Sequence, residues 1–198
     1  DTLGGQFLTA GEAPRKKEMK AAAISMAKKA ERLGVDIRMN TKVTPEMIEE
    51  IKPHTVMNAI GAESIIPPIP GVDKAFVKDS HDVLDGKAEA TGNVVVIGGG
   101  MVGMETAEYL AEKGAKVSVL EMLPDICSDM GTTRKICMGE EIQKSGIIPV
   151  TSVKVTEIGD NVVIGEKDGE KVEFPCDTAV LAIGAKKRDG SALAETCY

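Results

Sequence analysis

A short apolar run that stops abruptly at three glycines limits this chain more than any other feature. Asn93-Val94-Val95-Val96-Ile97 leads directly into Gly98-Gly99-Gly100-Met101-Val102-Gly103; a helix-forming stretch from Met101 to Lys113 closes at Gly114, and Lys116 to Glu121 is a second extended run. An apolar run without alternation suits a parallel strand covered on both faces, so the order reads strand, glycine turn, helix, strand. Each glycine then has its own task. Gly98 permits the tight turn, Gly100 lets the backbone approach a pyrophosphate, and Gly103 lets the helix lie close on the sheet, where Ala107 keeps the same face small. Glu121 ends the second strand, roughly 20 residues after the first glycine, where a carboxylate can accept hydrogen bonds from an adenosine ribose. Gly99, Met101 and Val102 complete the loop.

The acid also discriminates between nucleotides. A ribose 2′-phosphate would be repelled by Glu121, and the following Met122-Leu123-Pro124-Asp125-Ile126 provides no cation to answer it. NADH is therefore expected over NADPH. A last apolar run, Ala179 to Ile183, ends at Gly184 and should lie beside Val94–Ile97. Ligands bind outside the carboxyl ends of such strands, which puts Ala182 and Gly184 on the floor of the same site.

The remaining sequence suggests two lobes with a boundary near Thr91. In the first, residues 12–32 have the spacing of an amphipathic helix capped by Gly34, Val35, Ile37 and Met39 alternate as in a strand, Pro45 to Ile51 suits a short helix, and Thr55 to Ile60 reads as a strand ending at Gly61. Pro67, Pro68 and Pro70 stiffen the connection that follows. In the second lobe, Thr132 to Lys144 reads as a helix closed by Gly146, and Ile147 to Val150 as a return to extended chain. Val153–Ile158, Val162–Ile164 and Val172–Phe174 are separated by Gly159-Asp160-Asn161 and Asp168-Gly169, the pattern of a three-stranded antiparallel meander. Ala59-Ile60-Gly61-Ala62 and Ala182-Ile183-Gly184-Ala185 repeat one another, which implies two related lobes, the first lacking its opening strand, glycine turn and helix. The fold class is thus α/β: a Rossmann-like dinucleotide-binding lobe with its meander, plus an incomplete second Rossmann-like lobe.

Composition excludes several classes. The net charge of −7 argues against nucleic acid as partner, and no apolar run approaches the ~18 residues of a membrane span. Cys127, Cys137, Cys176 and Cys197 form no C-x-x-C pair and His54 and His81 are far apart, so neither a dithiol nor a metal site is expected, and a reducing cytoplasm is the simplest setting. His81, between Ser80 and Asp82, reads as a solvated linker histidine without a partner. Cys127 reads as a small apolar filler, and Arg15-Lys16-Lys17 as a solvated helix start.

The block Asn93 through Met130, with Asn-Val-Val-Val-Ile-Gly-Gly-Gly-Met-Val-Gly-Met-Glu-Thr-Ala-Glu-Tyr-Leu-Ala, then Glu121-Met122-Leu123-Pro124 and Asp129-Met130, closely resembles the C-terminal region of the NADH:flavin oxidoreductases related to 2-enoate reductase and 2,4-dienoyl-CoA reductase. Leu3-Gly4-Gly5-Gln6 resembles their FAD lobe just after its first βαβ unit. The resemblance implies residues 1–90 as a partial FAD-binding lobe with linker and residues 91–198 as the NAD(P)H-binding domain. It also implies a longer parent protein, with an FMN-binding barrel and an iron–sulfur cluster upstream, in which electrons pass from nicotinamide to FAD, through the cluster to FMN, and on to an activated C=C bond. Carried over residue by residue, Gly98, Gly100, Gly103, Glu121 and Gly184 would contact NADH, and Gly4, Gly5, Gln6, Val43 and Gly61 would contact FAD. Two positions depart from the pattern: Asn58 replaces an apolar residue in what should be a buried strand, and Ile60 replaces a Thr.

Three further expectations follow. This piece of chain should purify without flavin, and a homo-oligomer is left open. A structural ADP-binding module without redox role, like the corresponding lobe of trimethylamine dehydrogenase-like proteins, is the main alternative; a disulfide reductase fragment is a poorer one.

Overall fold

The computed structural model describes residues 2–194. In chain order the elements are α1 (Gly5–Ala10), α2 (Lys17–Arg32), α3 (Pro45–Ile51), β1 (Ala62–Ser64), β2 (Val77–Asp79), α4 (Ser80–Leu84), β3 (Asn93–Ile97), α5 (Met101–Glu112), β4 (Lys116–Leu120), α6 (Thr132–Ser145), β5 (Ile148–Val150), β6 (Lys154–Ile158), β7 (Val162–Lys167), β8 (Glu170–Pro175), β9 (Thr178–Leu181), β10 (Ala185–Lys187) and α7 (Ser191–Ala194). Five strands form a parallel sheet in the order β2-β9-β3-β4-β5. The meander β6-β7-β8 is a separate antiparallel sheet, and β1 pairs with β10.

Successive residues of β3 point to opposite faces of the sheet, and each face has its own cover. Val94 and Val96 pack with Met104, Ala107 and Leu110 of α5 and with Val119 and Val180. Val95 and Ile97 pack instead with Leu120, Ile158, Val163 and Leu181, on the meander side. This two-sided burial is why the strand reads as an unbroken apolar run. The central strands β3, β4 and β9 are thus covered on both faces, and ligands of such sheets bind outside the carboxyl ends of the strands. The β7–β8 turn, Asp168-Gly169, has both residues at positive φ, 54° and 84°, the conformation that lets a two-residue turn follow the strand twist.

The first lobe is less regular than its sequence suggests. Pro45–Ile51 is helical, with the Thr44 hydroxyl accepting from the Met47 N–H. The long helix starts at Lys17, five residues later than expected, because Arg15 takes a left-handed φ of 62° that ends the preceding turn. Neither 35–39 nor 55–60 is a strand. A strand needs a neighbour to hydrogen-bond, and these segments have no ladder partner among the described residues. Asn58 accordingly lies exposed rather than buried, so its amide needs no internal partner. The repeated Ala-Ile-Gly-Ala blocks do converge: each runs into a strand of the β1–β10 pair, with Ala62 opposite Lys187 and Ser64 opposite Ala185. The parallel sheet also draws its outer strand from before Thr91, since Val77–Asp79 pairs with Ala179–Leu181.

Candidate functional site

The glycine corner sits between the end of β3 and the start of α5, and its packing separates the roles of its glycines. A Cβ on Gly103 would stand 1.9 Å from the Gly98 carbonyl oxygen, and one on Gly98 would stand 2.5 Å from the Ala182 oxygen. These two are glycine because helix and strand touch there. A Cβ on Gly100 would meet nothing within 4 Å, and its φ of −72° suits any residue. No protein atom requires glycine at that position. The space beside it is open.

Helix α5 has Gly100 as its N-cap and no side chain capping its first turn. The first N–H groups of a helix have no partner within it and carry the positive end of the dipole, which suits an anion. Beside them lies the half-buried Glu121. Its Oε2 accepts the Gly99 N–H at 2.6 Å and its Oε1 accepts the Leu123 N–H at 2.8 Å. Both oxygens are thus fixed in direction, yet an ionised carboxylate has about four acceptor positions, so capacity for ribose hydroxyls is left over.

The back of the corner comes from the segment after β4. The Cys127 N–H donates to the Gly99 carbonyl at 2.8 Å, and Ile126 and the Glu121 Cβ close on Gly99 from behind. Cys127 is a buried filler, as expected, and burial pushes its thiol up to about 11. Its left-handed φ of 46° folds residues 121–130 over the corner; a lone cysteine gave no signal of this. Met101, Val102 and Met122 are exposed around the mouth. Ala182 packs against Gly98 and Gly103, its N–H bonded to the Ile97 oxygen at 2.8 Å. Gly184 lies beyond it in a positive-φ bend, φ 112°, where an added Cβ would meet just Ile65, at 3.8 Å.

A cleft of about 1470 Å³, lined by none of the corner's residues, lies mainly on the first lobe. Gly5 and Gln6 line it, and the Gln6 amide reaches the Ala62 oxygen at 3.5 Å, next to Gly61. Gly4 caps α1 at φ 127°, with an added Cβ 2.6 Å from Leu8; Cβ atoms on Gly5 and Gly61 would be unobstructed. Val43 is outside the cleft wall, in irregular chain before α3.

Three residues read as solvated are engaged instead. Arg15 pairs with Glu108 at 2.7 Å and Glu141 at 3.2 Å, while Lys16 and Arg134 both pair with the buried Glu105. The basic run thereby ties the first lobe to α5 and α6. His81 is half-buried, with Nδ1 3.1 Å from the Ser64 Oγ and 3.4 Å from the Asp79 carboxylate. The free Cys127, Cys137 and Cys176 are unpaired, and no His, Cys, Asp or Glu cluster that could hold a metal occurs among the described residues; Cys197 lies outside them. No described helix is long and apolar enough to cross a membrane.

Comparison with known proteins agrees with this geometry. Residues 44–196 match the family model described as pyridine nucleotide-disulphide oxidoreductase. The chain belongs to that family. It is 42% identical over 185 residues to the bilirubin reductase of Mediterraneibacter gnavus and 40% identical over 187 residues to the NADH oxidase of Thermoanaerobacter brockii, covering 93% and 92% of this chain but 29% of each relative. A 2-naphthoyl-CoA reductase structure superposes on all of it with a TM-score of 0.89 at 29% identity, using 30% of that protein. The chain therefore spans less than a third of the length of these relatives. As a member of the pyridine nucleotide-disulphide oxidoreductases it is a domain of pyridine nucleotide-dependent flavoprotein oxidoreductases, a family that implies FAD and NAD(P).

Proposed function

We propose that this domain takes NADH at the Gly98–Gly103 corner and presents it to an FAD held by the first lobe, within a longer cytoplasmic flavoprotein that reduces the C=C bond of an enoate- or enoyl-type substrate. The observation that carries the reading is the Glu121 carboxylate fixed by the Gly99 and Leu123 N–H groups beside the uncapped start of α5. Pyrophosphate oxygens would take the first-turn N–H groups, and the ribose hydroxyls would donate to Glu121. No cation follows Glu121 in the sequence before Arg134 and Lys135, which pair with Glu105 and Asp125, so a 2′-phosphate beside Glu121 would be repelled. FAD, when bound, supplies the acceptor for the hydride. The open bend at Gly184 leaves room for a nicotinamide, which favours the redox role over a purely structural ADP holder. Relatives named cinnamate reductase and 2-naphthoyl-CoA reductase support the substrate class; the FMN barrel and iron–sulfur cluster upstream rest on the family resemblance of the Asn93–Met130 block.

Calorimetric titration of the domain with NADH, NADPH and ADP tests the reading. NADH should bind in the ~1 µM–1 mM range usual for enzyme ligands, with NADPH about tenfold weaker. ADP binding as tightly as NADH would instead support the structural holder.

A further inference from the structure

The Asp79–His81–Ser64 cluster stands apart from the glycine corner and is used by nothing described so far. Asp79 ends β2 and caps α4, its Oδ1 accepting the His81 N–H at 2.8 Å and the Asp82 N–H at 3.4 Å. The same carboxylate lies 3.4 Å from His81 Nδ1, and the Ser64 Oγ of β1 lies 3.1 Å from that nitrogen. The ring is therefore fixed from two elements through one nitrogen. All three side chains line the cleft that also carries Gly5 and Gln6.

Resting on the reading that this lobe holds FAD, we propose that His81 is a cation set at the flavin ring by Asp79 and Ser64, favouring the negative charge that hydride uptake leaves there. The chemistry balances: NADH gives up one proton and two electrons as hydride and becomes NAD⁺, and the oxidised flavin that accepts them gains one net negative charge. An imidazolium near that charge stabilises the reduced form over the oxidised one, as expected for charges in partly water-excluded surroundings.

The surroundings support a charged ring. The hydrogen bond to Asp79 raises the His81 pKa; burial opposes it, and the charges of Asp79, Asp85 and Asp82 add to the rise. Burial pushes the Asp79 carboxyl up, but bonds to His81 and Ser64 outweigh this and hold it at about 2. Of the elements packed on α4, α1 carries no titratable side chain, β2 carries Lys78, whose ammonium donates to the Ala75 oxygen, besides Asp79, and Glu105, Glu108 and Glu112 of α5 are paired with Lys16 or Arg15. Glu63, Lys87 and Arg188 share the cleft wall with the cluster, and Lys20, Lys28, Glu12 and Glu31 line the same cleft.

The test is a redox titration of FAD bound to the full-length protein, wild type against His81→Gln, from pH 6 to 9. Flavin content is measured first. The expected result is FAD in both proteins, with His81→Gln holding the reduced form about tenfold less well relative to the oxidised form at pH 6, or ~30 mV for a two-electron couple. That gap should close at high pH, while NADH affinity is unchanged. Equal potentials at every pH overturn the inference and leave the FAD reading standing. A wild-type protein without FAD removes both. Should His81→Gln fail to hold flavin, Asp79→Asn decides: it keeps the imidazole but removes its counter-charge, so the bend in the wild-type potential–pH curve should move to lower pH, and an unmoved bend overturns the inference.

Discussion

At the scale of single residues, the glycine corner separates packing from ligand binding. Gly103→Ala forces a methyl to within 1.9 Å of the Gly98 oxygen, a backbone atom that cannot yield without lifting α5 off the sheet. Overpacking of this kind costs about 1–3 kcal/mol, read as a lower urea midpoint, and NADH binding should fall with it. Gly100→Ala meets no protein atom, so the urea midpoint should fall by no more than the loss of an N-cap glycine costs, about 1 kcal/mol or less, yet NADH binding should drop at least tenfold. Glu121→Ala combined with Met122→Arg removes the ribose acceptor and adds a cation. Lost charge-assisted hydrogen bonds of about 1.5–3 kcal/mol correspond to roughly tenfold or greater weakening of NADH, with selectivity shifted toward NADPH; unchanged selectivity in titrations would contradict the role given to the acid. The Asp79–His81 pair makes stability depend on pH. A raised histidine pKa stabilises the fold fully below the unfolded value of about 6.5 and loses that contribution as pH rises through the folded value. The stability lost in His81→Gln, measured by urea unfolding, should therefore be larger at pH 6 than at pH 9.

At the scale of elements, the sequence disclosed what repeats locally and missed what depends on distant neighbours. β3, α5, β4, α6 and the meander follow from unbroken apolar runs, helical stretches and turn residues, each a signal within a few positions. β2 is three residues, Val77-Lys78-Asp79, and exists because β9 lies beside it. The capping signature at Asp79, with Asp82 in the first turn of α4, was present in the sequence and would have revealed both the helix and the partner of His81. Alternation at Val35, Ile37 and Met39 was a true periodicity without a ladder to join. The contacts of Arg15 and Lys16 with α5 and α6 were illegible because they link residues about 90 or more positions apart, as in Lys16 to Glu105 and Arg15 to Glu141. Since Glu105 is 8% exposed, Lys16→Met should destabilise the domain by about 1.5–3 kcal/mol in urea unfolding, the buried carboxylate keeping just its bond to Arg134.

At the scale of the whole molecule, order is unevenly distributed. The parallel sheet is buried on both faces, whereas 35–39 and 55–60 are largely exposed and outside any ladder, with Met57 at 89% exposure and Val35 at 54%. Hydrogen exchange should follow this division, slowest in Val94–Ile97 and Thr178–Leu181 and fast in both first-lobe segments. A nicotinamide site at the carboxyl ends of β3 and β9 would then rest on the slowest-exchanging strands, as precise placement requires. The most direct measurement is an amide NMR map of the domain titrated with NADH. The account predicts that the largest shifts cluster at Gly99 to Gly103 and at Glu121 to Leu123; shifts that leave those amides still while NADH binds elsewhere would contradict it.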